Sequence, residues 1–130
     1  MKKQIKSVEE FHNAFGEENA PSPKLIDQNI YELRHALMRE ENEEYLEACD
    51  NNDLVGIADA LGDQLYILCG TILKHGMQDV IEKVFDESHS SNMSKLGADG
   101  KPIFREDGKI LKGPNYFKPN LKDLLWNKQD

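Results

Sequence analysis

Apolar residues recur every three or four positions through most of the first ninety residues, and that spacing predicts helices. SVEEFHNAF, residues 7–15, reads as the first. Ser7 is placed to cap it, Glu10 to close a capping box, and Val8, Phe11 and Phe15 to share a face. Gly16 stops this helix, and NAPSP at 19–23 is turn-rich. From about Lys24 to Ala48, Ile26, Ile30, Leu33, Leu37, Tyr45 and Ala48 return at helical steps, with Glu and Arg between them. CDNND interrupts the pattern, and Asp53 can cap a third helix. That helix, Leu54 to His75, carries an apolar stripe of Leu54, Ile57, Leu61, Leu65, Leu68 and Ile72. Beside it, Asp59, Gly62, Asp63, Tyr66 and Gly70 form a stripe without the Lys and Glu of a solvated face. Such a helix is expected to be sandwiched in a bundle or a dimer. Gly76 supplies its C-cap, and MQDVIEKVFDESHS reads as a fourth helix.

After Ser90 the periodicity fades. DGKPIFREDGKILKGP contains DGK at 99–101 and again at 107–109, and Asp107-Gly108 between PIFRE and KILK favours a hairpin turn. LKDLLW near the end is a short apolar helix with Trp126, expected to dock on the bundle or on a partner subunit. The pattern predicts one all-α domain over 1–130 with four to five helices. It comprises a helical body at 1–90, a basic segment at 91–120 and a docking helix at 121–127.

Charge divides the chain further. The net charge of −8 argues against a nucleic-acid binder. Residues 1–90 hold 8 Lys and Arg against 19 Asp and Glu, a balance of −11. Residues 91–122 hold 7 against 3, a balance of +4. An acidic body with a basic tail suggests a cation held on the body and an anion gripped by the tail; mutual attraction of the two parts is the plainer reading. No apolar run reaches the length of a membrane span, and the N-terminus lacks the apolar core of a secretory signal. Cys49 and Cys69 read as two buried free thiols, and the protein is expected to be cytoplasmic. The four histidines, His12, His35, His75 and His89, are scattered and read as surface or capping residues.

MREENEEYLEA, residues 38–48, concentrates the acids. At 100° per residue, Glu40 and Glu44 lie about 40° apart and Glu41 about 60° to the other side of Glu44, so the three share one face. Glu43 and Glu47 fall outside it. Asp59 and Asp63 form a second pair at i, i+4 on the following helix. Like charges at this spacing oppose helix formation, and a hard divalent cation such as Mg²⁺ offsets them well. A calcium loop fits worse, because DNNDLVGIADAL lacks the glycine at its sixth position and the glutamate at its twelfth. There is no phosphate-binding glycine loop and no zinc pattern.

LMREENEEYLEA followed by ADALGDQLYILCGT resembles the all-α nucleoside triphosphate pyrophosphohydrolases, the superfamily of MazG, dimeric dUTPases and phosphoribosyl-ATP pyrophosphohydrolase. That family's mark is ExxE on one helix and ExxD on the next. Glu41 and Glu44 match the first half, with Glu40 as an extra acid, and Asp63 matches the last position. Ala60 stands where the remaining glutamate would be, with Asp59 the neighbouring acid. The tail SNMSKLGADGKPIFREDGKILKGPNY is similar to the extension of small stand-alone MazG-like proteins.

The resemblance implies a helical homodimer or dimer of dimers, with Mg²⁺ or Mn²⁺ at Glu41, Glu44, Asp63 and Asp59. It implies cleavage of a (d)NTP to monophosphate and pyrophosphate, with Glu40 as general base. Asn92, Lys95, Lys109, Lys112, Asn115 and Tyr116 are then the candidate phosphate contacts. The alternatives are phosphoribosyl-ATP as substrate, or a catalytically silent helical dimer that binds metal or nucleotide.

Overall fold

Helices account for nearly all the regular structure in the computed structural model of the chain, which describes residues 1–126. These fall into two compact units, Met1–Asp79 and the chain from Val80 onward. In the first unit, α1 (Lys2–Ala14), α2 (Gln28–Asp50) and α3 (Leu54–Lys74) pack with α3 against both of the others.

α1 begins a turn and a half before the SVEEF pattern. Lys2, Lys3 and Gln4 are good helix formers, and Ile5 extends the apolar face, so the helix runs back to Lys2. Ser7 therefore does not cap. It sits mid-helix, and its hydroxyl donates to the Lys3 carbonyl at 3.1 Å. The buried face is Ile5, Val8 and His12 rather than Val8, Phe11 and Phe15. α2 begins at Gln28, not Lys24, because residues 20–24 are tied to the end of α3. The Ala20 amide donates to the Leu73 carbonyl at 3.1 Å and the Lys24 amide to the His75 carbonyl at 3.0 Å.

α1, α2 and α3 all end in the same way. A residue in the left-handed region (Gly16, Asn52 or Gly76) follows the C-cap. The next amide then reaches back to a carbonyl of the last turn: Glu17 to His12, Asp53 to Ala48, Met77 to Ile72. The middle case joins two helices in three residues. Asp53 closes α2 through its amide and caps α3 by accepting from the Gly56 amide at 3.0 Å, as its position predicts.

The core is small: Ile5 and Val8 from α1, Ala48 from α2, and Ala60, Cys69, Ile72 and Leu73 from α3. The leucine stripe of α3 is not buried as its periodicity suggests. Leu54 is 77% exposed, and Leu61, Leu65 and Leu68 are also exposed. α2 meets α3 across Ala60 and Thr71, α1 meets it at Gly70, and Leu68 borders an open hollow with His35, Met38 and Arg39 of α2.

Polar groups are buried instead. His12 is 4% exposed, contrary to a surface reading, and its Nδ1 pairs with the Asn19 side-chain oxygen at 2.6 Å. Half-buried Arg34 donates from Nε to Thr71 Oγ1 at 3.0 Å and from Nη2 to the Ile67 carbonyl at 2.9 Å. Burial pulls its pKa down, while the Glu17 charge opposes that. Gly70 leaves the room: a Cβ there would stand 2.5 Å from Arg34 Nη2 and 3.1 Å from His12 Nε2. His75 does act at a cap, its Nδ1 donating to the Lys24 carbonyl at 3.0 Å. Cys69 is buried and Cys49 half-buried, and both are free.

In the second unit α4 (Ile81–Met93) starts four residues later than MQDVI suggests, since the α3 cap uses Met77. The segment beyond is stitched to α4. Ser91 donates to the Phe117 carbonyl at 2.8 Å, the Phe117 amide to Ser94 Oγ at 3.1 Å, and the Gly113 amide to the Lys95 carbonyl at 2.9 Å.

The two DGK repeats make one turn twice. In each, the aspartate accepts from the lysine amide, and the residue two before the aspartate donates its amide to the lysine carbonyl. The second copy closes the expected hairpin, with an antiparallel bridge between Phe104 and Ile110. Its loop is one residue longer than a two-residue turn, a type I turn followed by a glycine bulge. α5 (Lys122–Trp126) buries none of its residues, and Trp126 is 60% exposed. Asn127, the last residue of the expected docking helix, lies outside the described residues.

Candidate active site

The acids of α2 and α3 meet across the αα-corner. With α2 and α3 antiparallel and joined by a three-residue turn, Glu41 and Glu44 lie opposite Asp63. One carboxylate oxygen from each falls within 4.8 Å of the others. Register here is fixed on two levels. The Gln64 amide donates to Asn42 Oδ1 at 3.2 Å beside the acids, and two turns away Arg34 spans to Thr71 and Ile67.

The electrostatics show the cost of this convergence. Glu41 is half-buried, and its carboxyl is pushed up to about 7. Proton sharing with Glu44 is the largest cause, followed by loss of water and by the charges of Glu44, Asp63 and Glu40. Its Oε2 is buried without a hydrogen-bond partner. A buried acceptor left unpaired is unfavourable, and three hard oxygen donors with one orphaned lone-pair site suit a divalent cation that prefers oxygen. The donor set therefore fits Mg²⁺ or Mn²⁺.

The other sequence candidates fall at different places. Glu40 is exposed on α2, near enough for its charge to act on Glu41. Asp59 lies one turn from Asp63 and lines a hollow of about 190 Å³ with Glu44, Glu47, Asp53 and Ala60. Ala60 is 2% exposed at the base of the α2–α3 contact. Asn92, Lys95, Lys109, Lys112, Asn115 and Tyr116 all belong to the second unit. Within it, Lys112 Nζ sits 4.8 Å from the centroid of the Tyr116 ring, a cation–π pair.

Arg34 and His12 were not among the sequence candidates. The signal was available: an arginine on the inner face of α2, and a glycine, Gly70, on the packed face of α3. Neither points by itself to its partner, because the pairs are 37 and 7 residues apart in sequence.

An all-helical chain with paired acids on consecutive antiparallel helices defines a class, and comparison with known proteins places it. The family model described as phosphoribosyl-ATP pyrophosphohydrolase matches residues 8–92. The chain belongs to that family, a family of hydrolases. A solved structure from Exiguobacterium sp. 255-15, provisionally assigned as an NTP pyrophosphohydrolase, is 25% identical. The match covers 89% of this chain and 88% of that one, with a TM-score of 0.49. No protein with a curated description matches. No helix of the described residues is long and apolar enough to cross a membrane.

Proposed function

We propose that the chain cleaves the α–β phosphoanhydride of a nucleoside triphosphate, giving the nucleoside monophosphate and pyrophosphate. The observation that carries this is the convergence of Glu41, Glu44 and Asp63 around the orphaned Glu41 Oε2. These three hold Mg²⁺ or Mn²⁺, with Asp59 as a fourth ligand or a neighbour that orients one. When bound, the ion supplies charge neutralisation for the triphosphate and its leaving group.

Glu40 takes the proton of the attacking water on its carboxylate. The water oxygen bonds to the α-phosphorus, the bond to the bridging oxygen breaks, and the electron pair leaves with pyrophosphate. The lysine-rich segment, with Asn92, Lys95, Lys109, Lys112, Asn115 and Tyr116, supplies anion contacts; its balance of +4 supports this role. The protein works as a homodimer or dimer of dimers, a second copy covering the exposed leucines of α3. Phosphoribosyl-ATP is the second reading of the substrate, favoured by the family whose model the chain matches.

The test is a panel of NTPs, dNTPs and phosphoribosyl-ATP with Mg²⁺ or Mn²⁺, with pyrophosphate and orthophosphate assayed separately. Pyrophosphate release that disappears in Glu41→Gln is the expected result. Release of orthophosphate alone would overturn the assignment of the cleaved bond.

A further inference from the structure

Three aromatic rings meet in the open on the first unit, beside the acids. Phe11 and Phe15 lie 4.4 Å apart between ring centroids, and Phe11 meets Tyr66 edge-on at 5.6 Å. Large aromatic side chains dominate cores and interfaces, yet Phe11 and Tyr66 are each 42% exposed and Phe15 is 70% exposed. Their placement is fixed from below. The adjacent His12 is buried and pinned to Asn19, which sets the rotation of α1 and turns Phe11 and Phe15 outward.

Tyr66 follows Asp63 by three residues on α3. The two side chains therefore leave the helix about 60° apart and about 4.5 Å along its axis. Tyr66 thus stands about one helical turn from Asp63, which gathers with Glu41 and Glu44.

The geometry points to a stacking platform on Phe11, Phe15 and Tyr66 for the base of the nucleotide whose phosphates are held at the acid cluster. This rests on the pyrophosphohydrolase reading of the same site. A purine suits it best, because two fused rings cover more of an exposed aromatic face than one.

Three observations favour a base over other occupants. First, about one turn of helix separates Tyr66 from Asp63, the scale of a sugar between base and phosphate. Second, Glu41, Glu44 and Asp63 gather at the stretch of α3 that carries Tyr66, so a second copy docking there would bring like charges together. Third, the rings already touch one another, so little order is lost when a flat ligand lands on them.

The test uses binding, so that it can fail separately from the hydrolysis reading. Two probes are compared in Mg²⁺: α,β-methylene-ATP, whose bridge resists cleavage, and inorganic tripolyphosphate, which has no base. In the wild type, α,β-methylene-ATP is expected to shift the ring-proton NMR signals of Phe11 and Tyr66, and tripolyphosphate to leave them in place. Phe11→Leu and Tyr66→Leu each keep apolar bulk and remove the ring, with Phe15→Leu as a further variant and thermal melting to confirm folding. Each of the first two is expected to weaken α,β-methylene-ATP binding about tenfold, equivalent to about 1.4 kcal/mol, and to leave tripolyphosphate unchanged. Equal weakening of both probes, or no ring response to α,β-methylene-ATP, would overturn the platform. Ring responses without cleavage of any nucleotide would uphold it and sink the hydrolase reading; cleavage without ring responses would do the reverse.

Discussion

Gly16 and Gly76 adopt the same backbone conformation, with φ of 75° and 68°, but in different surroundings. Nothing lies within 4 Å of a Cβ built at Gly16. Gly16→Ala therefore costs only the left-handed backbone term, about 1–2 kcal/mol. A Cβ at Gly76 would overlap the Ser22 carbonyl oxygen, a backbone atom, and come within 2.9 Å of the Ala20 Cβ. Gly76→Ala must push the 20–24 loop off the end of α3. That displaces up to four hydrogen bonds: Ala20 to Leu73, Lys24 to His75, His75 Nδ1 to the Lys24 carbonyl, and Gln78 Nε2 to the Ala20 carbonyl at 2.9 Å. At about 0.5–1.5 kcal/mol each, their loss adds about 2–6 kcal/mol to the backbone term. The expected order is thus wild type, then Gly16→Ala, then Gly76→Ala lower by at least about a further 2 kcal/mol. Urea unfolding of the three proteins, analysed with a common slope, measures this directly. Two variants equal within about 0.5 kcal/mol would show that the loop does not press on the end of α3.

Two further outcomes concern the acids. The native Glu41 carboxyl keeps its proton up to about pH 7, whereas the unfolded one keeps it only to about 4.5. The native state binds the extra proton in that window, so metal-free protein loses stability as pH rises through it. Bound metal must displace that proton, so Mg²⁺ affinity is expected to be about tenfold weaker at pH 6 than at pH 8, by calorimetric titration; equal affinities would refute the shared-proton picture. Ala60→Glu puts a carboxylate at a buried position beside Asp59. It is expected to lower the metal-free melting temperature by at least about 4 °C, the effect of 1 kcal/mol in a domain this size. Pyrophosphate release should stay within about twofold of wild type, and a large gain would show that Asp59 does not serve in place of the absent glutamate.

Helical arithmetic on MREENEEYLEA was enough to put Glu41 and Glu44 on one face, and the CDNND break to turn Asp63 back toward them. Both inferences are local, and local geometry is what a sequence states most plainly. Burial was legible less well, because it depends on which neighbours a helix meets. Phe11 and Phe15 satisfy the periodicity of a core face as well as Ile5 and Val8 do, and only packing against α3 decides between them. The leucines of α3 show the same ambiguity from the other side: an apolar stripe states that something covers it, not what. Arg34 and His12 went unseen for a related reason. Each is a polar residue made tolerable by a partner distant in the chain or by the missing side chain of Gly70.

The corner at Asn51–Asp53 has a kinetic consequence. It sets the acids of α2 against that of α3 across a short span, as the 22-residue separation of Asn42 and Gln64 records. Contacts so close in sequence have a low loop-closure cost and form early in folding. The carboxylates thus confront one another while the hairpin of α2 and α3 is still assembling. A divalent cation held by those acids, as proposed above, would act on the rate at which the hairpin forms as well as on the finished protein.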